Sequence, residues 1–469
     1  MRGILSCAAY VPYQRLQRAA IGEVMASAGG KGTRSVASYD EDTTTMGVEA
    51  GRLALRSANG VQPDSLTFAT TVPAYLDKTN ATAIHAALRL DSSAFAADAG
   101  GAPRSAVGAL RSALEHDGAT LVVSSDIRTG RPTSADERDG GDAAAALLVG
   151  TDAQGPVIAE YLGSGSATEE FLDRWRSPGD AHSRVWEERF GETRYLPLVD
   201  QAWNAALKAA DVTAEQVDSL VVTGMHTRAV RSAAKRLGTA KDALVNDLSA
   251  SVGNTGAAHA ALLLTSALET AEPGETIAVV TLADGVDVLL FRTTDAIKSF
   301  APARTVQAQI DAGSNGLPYS KFLSWRGALE VEPPRRPEPN RPSASAAGRN
   351  RDWKFGFVAA RDRTSEAMHF PPARVSWKGG AIDDMEAAPM ADVPATIVTF
   401  TVDHVSYSPS PPIVAAIVDF DGGGRFPCEL TDCDASDVKL GDRVEMTFRR
   451  LFTVQGMHNY FWKARPIRG

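Results

Sequence analysis

The sequence predicts a duplicated α/β unit over residues 1–294, followed by a small all-β barrel. Three observations carry that expectation. Short β-type runs alternate with Ala-rich helical stretches up to residue 294, the pattern of an α/β fold. The order of those elements repeats once. After a Pro-rich segment, five short β-type runs follow one another with turn residues between them, the pattern of a closed sheet.

The bulk properties fit such a protein and exclude others. A chain of 469 residues has room for two or three domains and a large core. With 44% hydrophobic and 22% charged residues it is not largely disordered. A formal net charge of -9 argues against a nucleic-acid partner, which needs clustered positive charge. No apolar run approaches the roughly 18 residues of a membrane span, so no membrane partner is expected. The opening Met1–Pro12 reads as a first strand and not a leader, which places the protein in the cytoplasm. Cys7, Cys428 and Cys433 are too few and too badly spaced for a disulfide framework or a four-thiolate metal cage.

In the first unit, strands are expected at 66–71, 94–97, 120–124, 144–149, 219–222, 244–246, 277–281 and 286–291. Helices are expected at 45–57, 79–88, 105–116, 197–210, 229–237 and 256–270. Asp64-Ser-Leu-Thr-Phe-Ala-Thr-Thr is echoed by Asp218-Ser-Leu-Val-Val-Thr-Gly-Met. Asp98-Ala-Gly-Gly-Ala-Pro-Arg-Ser is echoed by Ser251-Val-Gly-Asn-Thr-Gly-Ala-Ala, each opening an Ala-rich helix. Two copies in one order imply a pseudo-twofold axis. The active centre is expected where the two strand–turn–helix junctions meet, since ligands gather at strand C-termini and helix N-termini. Residues 295–352 read as a linker, Pro-, Arg- and Ser-rich over 331–350. The last unit, 394–469, holds strands at 395–403, 413–420, 425–430, 443–452 and 460–464, which suits a barrel of the OB type.

Several motifs carry a family resemblance. Tyr39-Asp-Glu-Asp-Thr-Thr-Thr-Met-Gly-Val-Glu-Ala, Trp175-Arg-Ser, Arg189-Phe-Gly and Gly140-Gly-Asp-Ala-Ala-Ala-Ala resemble the archaeal and bacterial 3-hydroxy-3-methylglutaryl-CoA synthases. Gly253-Asn-Thr-Gly-Ala-Ala is similar to the turn these enzymes share with ketoacyl synthase III. The resemblance implies a thiolase-like fold over 1–294, of two pseudo-twofold related halves in αβαβα layers. Phe370-Pro-Pro, Thr396–Asp403 and Pro411-Pro-Ile-Val-Ala-Ala-Ile-Val-Asp-Phe resemble the OB-fold family that accompanies thiolases. Residues 353–393 would then correspond to its zinc ribbon in degenerate form.

The chemistry of that superfamily needs a thiolate at a helix N-terminus, acylated covalently, with an imidazole and a second polar group beside it. By the resemblance, the cysteine position is Pro103, the histidine position Thr223 and the synthase glutamate position near Val72. Asn254 alone matches a polar residue of the family. His226, Gly100 and Gly101 are the remaining candidates to face a ligand, and Ser105 is the nearest hydroxyl to the junction. The former zinc positions become Asp362, Ser365, Ser376 and Gly379, a set with one hard carboxylate. No zinc and no tightly bound cofactor are therefore expected.

Three readings of function follow. In the first, the chain is a non-catalytic subunit of an acyl-CoA-handling assembly, as a homodimer or a heteromer, and its barrel docks a thiolase subunit or bridges acyl-CoA. In the second, it is an acyltransferase using Ser105 or His226. In the third, it is a structural or binding protein unrelated to CoA.

Overall fold

The computed structural model describes residues 1–332 and 334–468. Pro333, in the Pro-rich stretch, and Gly469, at the end of the barrel segment, lie outside the described residues.

The first strand, β1 (Arg2–Tyr10), is followed by helix α1 (Thr43–Arg56), β2 (Ser65–Thr70), α2 (Ala81–Ala87), β3 (Phe95–Gly100), α3 (Arg104–Glu115), β4 (Thr120–Asp126) and β5 (Ala143–Thr151). The second half repeats the order with β6 (Ala159–Ala167), α4 (Glu188–Ala210), β7 (Ser219–Gly224), α5 (Thr227–Ala234), α6 (His259–Leu268), β8 (Thr276–Leu282) and β9 (Val286–Thr293).

In sheet order the first half is β1-β5-β4-β2-β3 and the second is β6-β9-β8-β7. Successive pairings in the first half run antiparallel, antiparallel, parallel, parallel. The second half gives antiparallel, antiparallel, parallel, and then a single parallel bridge from Leu220 to Leu244. The duplication is therefore present strand for strand, and the pairs Gly3–Glu160 and Ile4–Ala159 join the halves into one nine-stranded sheet. Helices α3 and α6 share a buried layer with the inner faces of both halves, through residues such as Leu110, Leu114, Leu263 and Leu268. Helices α4 and α5 cover the outer face of the second half.

Four elements differ from expectation. The strand at 244–246 is reduced to its one bridge. Helix α4 begins nine residues before Pro197, which sits inside it. The helix expected at 256–270 is a short 3₁₀ turn, Gly256–Ala258, leading into α6. Strand β6, Ala-Glu-Tyr-Leu-Gly-Ser-Gly-Ser-Ala, has the composition of a loop and is absent from the sequence reading. It needs its glycine because α4 crosses it closely: a Cβ on Gly165 would collide with the carbonyl oxygen of Ala202.

The 295–352 segment is more than a featureless connector. Helices Val306–Asp311 and Tyr319–Trp325 pack on the first unit. The Gln309 amide donates to the Ala9 carbonyl (2.8 Å) and its oxygen accepts from the Val11 amide (2.9 Å). Phe322 is buried and Tyr319 donates to Glu137 (3.0 Å). The last unit closes a five-stranded barrel from β10 (Ala395–Asp403), β11 (Ile413–Phe420), β12 (Arg425–Leu430), β13 (Arg443–Val454) and β14 (Met457–Pro466).

The barrel packs on the outer face of the first half, and one hydrophobic cluster runs from Leu5 and Met46 to Phe448, Trp462 and Ala464. Buried charges cross the same seam. Arg449 lies between Glu41 and Asp432, Lys463 bridges Asp40 (3.0 Å) and Glu429 (2.8 Å), and Arg465 bridges Glu49 and Glu445 (2.9 Å each). The Tyr39-Asp-Glu-Asp motif thus holds the chain's own barrel. Among the described residues, no helix is long and apolar enough to cross a membrane.

Candidate active site

The two junctions singled out by the repeat do converge. Strand β7 ends at Thr223-Gly224, helix α3 opens at Pro103, and the Gly253-Asn254 turn leads into α6. Pro103, Thr223 and Asn254 line one small cavity of about 10 Å³, together with Met225, Ala257 and Leu282. Gly253 takes a positive φ of 87°, which a glycine adopts without strain. The Asn254 side chain is consumed locally, donating to the Gly224 carbonyl (3.0 Å) and accepting from the Gly256 amide (3.0 Å).

One wall of this cavity is tied to a residue that sequence reasoning missed. Asp126, at the end of β4, is fully buried. It accepts from the Thr71 amide (2.7 Å), the Thr71 hydroxyl (3.0 Å), the Thr70 hydroxyl (3.1 Å) and the Ala257 amide (2.8 Å). Burial raises its pKa against the pull of Arg128 and these hydrogen bonds. The carboxylate therefore clamps the first half to the second. No spacing in the sequence marks it, because its partners come from two separate segments, 70–71 and 257.

The other candidates lie outside the cavity. His226 caps α5, its Nδ1 accepting from the Ala229 amide (3.1 Å), while its ring packs toward Gly191 and Tyr195. Its buried Nε2 has no partner. The Val72 carbonyl accepts from the Thr43 hydroxyl (2.8 Å). Gly100 accepts from the Ser105 hydroxyl (2.7 Å), which occupies the proton of that serine. Gly101 has open space around its Cα. Strand β3, which ends at Gly100, is one of the two edge strands of the sheet, with β7 at the other edge.

A second, larger cleft of about 740 Å³ shares Thr223, Gly224, Met225 and Asn254 with the small cavity. Arg18, Arg128, Arg138, Arg228 and Arg231 line it, against Asp136, Asp139, Glu192 and Asp247. The Nε atoms of Arg18 and Arg128 are buried without a protein partner. His259, also on the lining, was not singled out from the sequence; burial lowers its pKa to about 4, so it is neutral. This arrangement suits an anionic ligand with phosphate groups at the arginines and a narrow end at the junction.

No thiolate serves the junction. Cys7 is buried in β1, and burial pushes its thiol far up. Cys428 and Cys433 lie in the barrel segment, each pushed up to about 12 mainly by burial.

The ribbon region forms a three-stranded sheet of Val358–Asp362, Met368–His369 and Met385–Pro389. Asp362 accepts from the Ser365 hydroxyl (2.6 Å) and the Thr364 amide (2.9 Å). Hydrogen bonds from Ser365 and Ser376 hold its carboxyl well below the usual range. Gly379 offers no side-chain donor, and among the described residues no three His, Cys, Asp or Glu side chains cluster as metal ligands. The set does not fit zinc: its one carboxylate is already saturated, and no thiolate or imidazole completes a tetrahedron.

Comparison with known proteins agrees with the two-part architecture. Residues 207–289 match the 3-oxoacyl-[acyl-carrier-protein] synthase III C-terminal family, and residues 388–449 match the ChsH2 C-terminal OB-fold domain. The hydroxymethylglutaryl-CoA synthase of Thermococcus sibiricus is 28% identical over 336 residues, covering 69% of this chain and 96% of that protein. Among solved structures, MvaS in complex with 3-hydroxy-3-methylglutaryl coenzyme A superposes with a TM-score of 0.59 at 19% identity, covering 73% of this chain and 94% of that one. An HMG-CoA synthase complexed with CoA gives 0.58 at 19% identity, covering 69% and 89%. The chain thus joins a thiolase-like domain, similar to hydroxymethylglutaryl-CoA synthases, to a C-terminal OB-fold domain of the ChsH2 type.

Proposed function

We propose that the chain is a coenzyme-A-binding, catalytically degenerate subunit of an acyl-CoA-handling assembly, in which a separate thiolase supplies the nucleophile. The observation that carries this reading is the cavity where Pro103, Thr223 and Asn254 meet. It shares Thr223, Gly224, Met225 and Asn254 with an arginine-lined cleft, yet offers no thiol, no free imidazole and no uncommitted amide. The guanidinium groups of Arg138, Arg228 and Arg231 on the cleft lining would hold the coenzyme phosphates. Neighbours of the same fold were solved with coenzyme A or its HMG thioester, which supports the choice of ligand.

The edge strand β3, Phe-Ala-Ala-Asp-Ala-Gly, is the surface on which we place the subunit partner, another copy or a thiolase. Three unpaired cysteines suit the reducing cytoplasm.

Intact-mass spectrometry after incubation with acetyl-CoA tests the reading. The expected result is unmodified protein alongside saturable coenzyme A binding that weakens in Arg228→Ala and Arg231→Ala. An acyl adduct within residues 1–294 would move the chain to the active transferase class.

A further inference from the structure

The two cavities are mismatched in a way that bears on which form of the coenzyme is bound. The outer cleft, at about 740 Å³, is of the size that takes a cofactor. The inner cavity, at about 10 Å³, has room for roughly one water. A thioester whose reacting carbon reached Pro103, Thr223 and Asn254 would have to place its acyl group there. Even acetyl adds three non-hydrogen atoms beyond the sulfur.

The wall is not free to retreat. Ala257 is pinned through its amide to Asp126 (2.8 Å), which four hydrogen bonds fix in place. Asn254 is held at both ends of its side chain. Pro103 adds a rigid ring at the first turn of α3, beside Met225 and Leu282 on the same lining. Forcing extra atoms into such packing is costly.

We propose that this cleft selects coenzyme A as the free thiol and rejects its acyl thioesters, with Pro103 as the specificity-determining residue. The proposal rests on the coenzyme A reading above. It assigns the chain the deacylated side of the exchange, the coenzyme released or awaited when a partner carries the acyl group.

Isothermal titration calorimetry on the full chain tests it, with reduced coenzyme A, acetyl-CoA and 3′,5′-ADP as probes. Coenzyme A is expected to bind about tenfold or more tightly than acetyl-CoA. Pro103→Ala, or Met225→Ala should the first variant misfold, is expected to bring that ratio toward one. Pro103→Ala should leave 3′,5′-ADP binding unchanged. Acetyl-CoA binding as tightly as coenzyme A to the unaltered chain overturns the proposal but leaves the coenzyme A reading intact, as does a ratio that neither variant moves. Failure of both coenzyme A and 3′,5′-ADP to bind overturns the reading on which it rests.

Discussion

Arg449 illustrates how much a single buried side chain carries here. It is wholly inaccessible and sits between the carboxylates of Glu41 and Asp432. Arg449→Met would fill similar space but strand those charges away from water. A loss of about 3–5 kcal/mol is expected in denaturant unfolding, with the slope unchanged. Glu269 makes the opposite kind of statement. Its carboxylate accepts from the Val306 amide (2.9 Å), and burial raises its pKa from 4.5 to about 7. Between those values the folded chain keeps a proton that the unfolded chain has released, so stability falls as pH rises from 4.5 to 7 and levels above it. The slope is at most about 1.4 kcal/mol per pH unit. Glu269→Gln keeps the acceptor, so its melting temperature should lack that component of the decline.

At this scale the sequence was informative where a residue's role is set by its neighbours in the chain. The Gly253-Asn254 turn was legible because it is local, although the direction of the Asn254 side chain was not. His226 was not, since a helix cap and a site histidine look alike until the ring's direction is known. Asp126 was invisible because its four hydrogen bonds converge from distant segments.

Among the elements, strand β6 marks the limit of propensity. Gly and Ser are poor strand formers, yet the segment is the second-half counterpart of β1, paired with β9 along most of its length. The duplication was the stronger signal, because a repeat of β1 requires a strand at this place. Gly165→Ala should separate α4 from the sheet and cost about 3 kcal/mol or more, read as a lowered unfolding midpoint. Three barrel strands were legible to the residue, because alternating burial and Gly turns are both short-range, whereas the last spans Met457–Pro466 and not 460–464. Three of the four former ligand positions, Asp362, Ser365 and Ser376, still face one another through hydrogen bonds.

Across the whole molecule, the sequence conveyed the two units but not their union. The Pro-rich segment read only as a linker, whereas the barrel and the first half share one core and a row of buried ion pairs. Burial of charge between units leaves no pattern in either one alone. Limited proteolysis within the exposed 335–342 stretch should therefore nick the chain without releasing the barrel in gel filtration, and calorimetry should show the barrel and first half melting together. Two peaks, or a freed barrel, would contradict that. A barrel engaged in this way presents only its remaining surface to solvent.

The seam also sets a timetable for biosynthesis. Glu49 accepts from the Phe448 amide, a partner 399 residues away. At roughly 5–20 residues per second, a ribosome needs about 20 to 80 s to deliver it. Through that interval the nascent first half carries an uncovered apolar face, and Glu41, already reached by Tyr10 and the Ser38 amide, still lacks Arg449. The protein must therefore either delay closure of its first half or be sheltered by a chaperone until its final strands emerge.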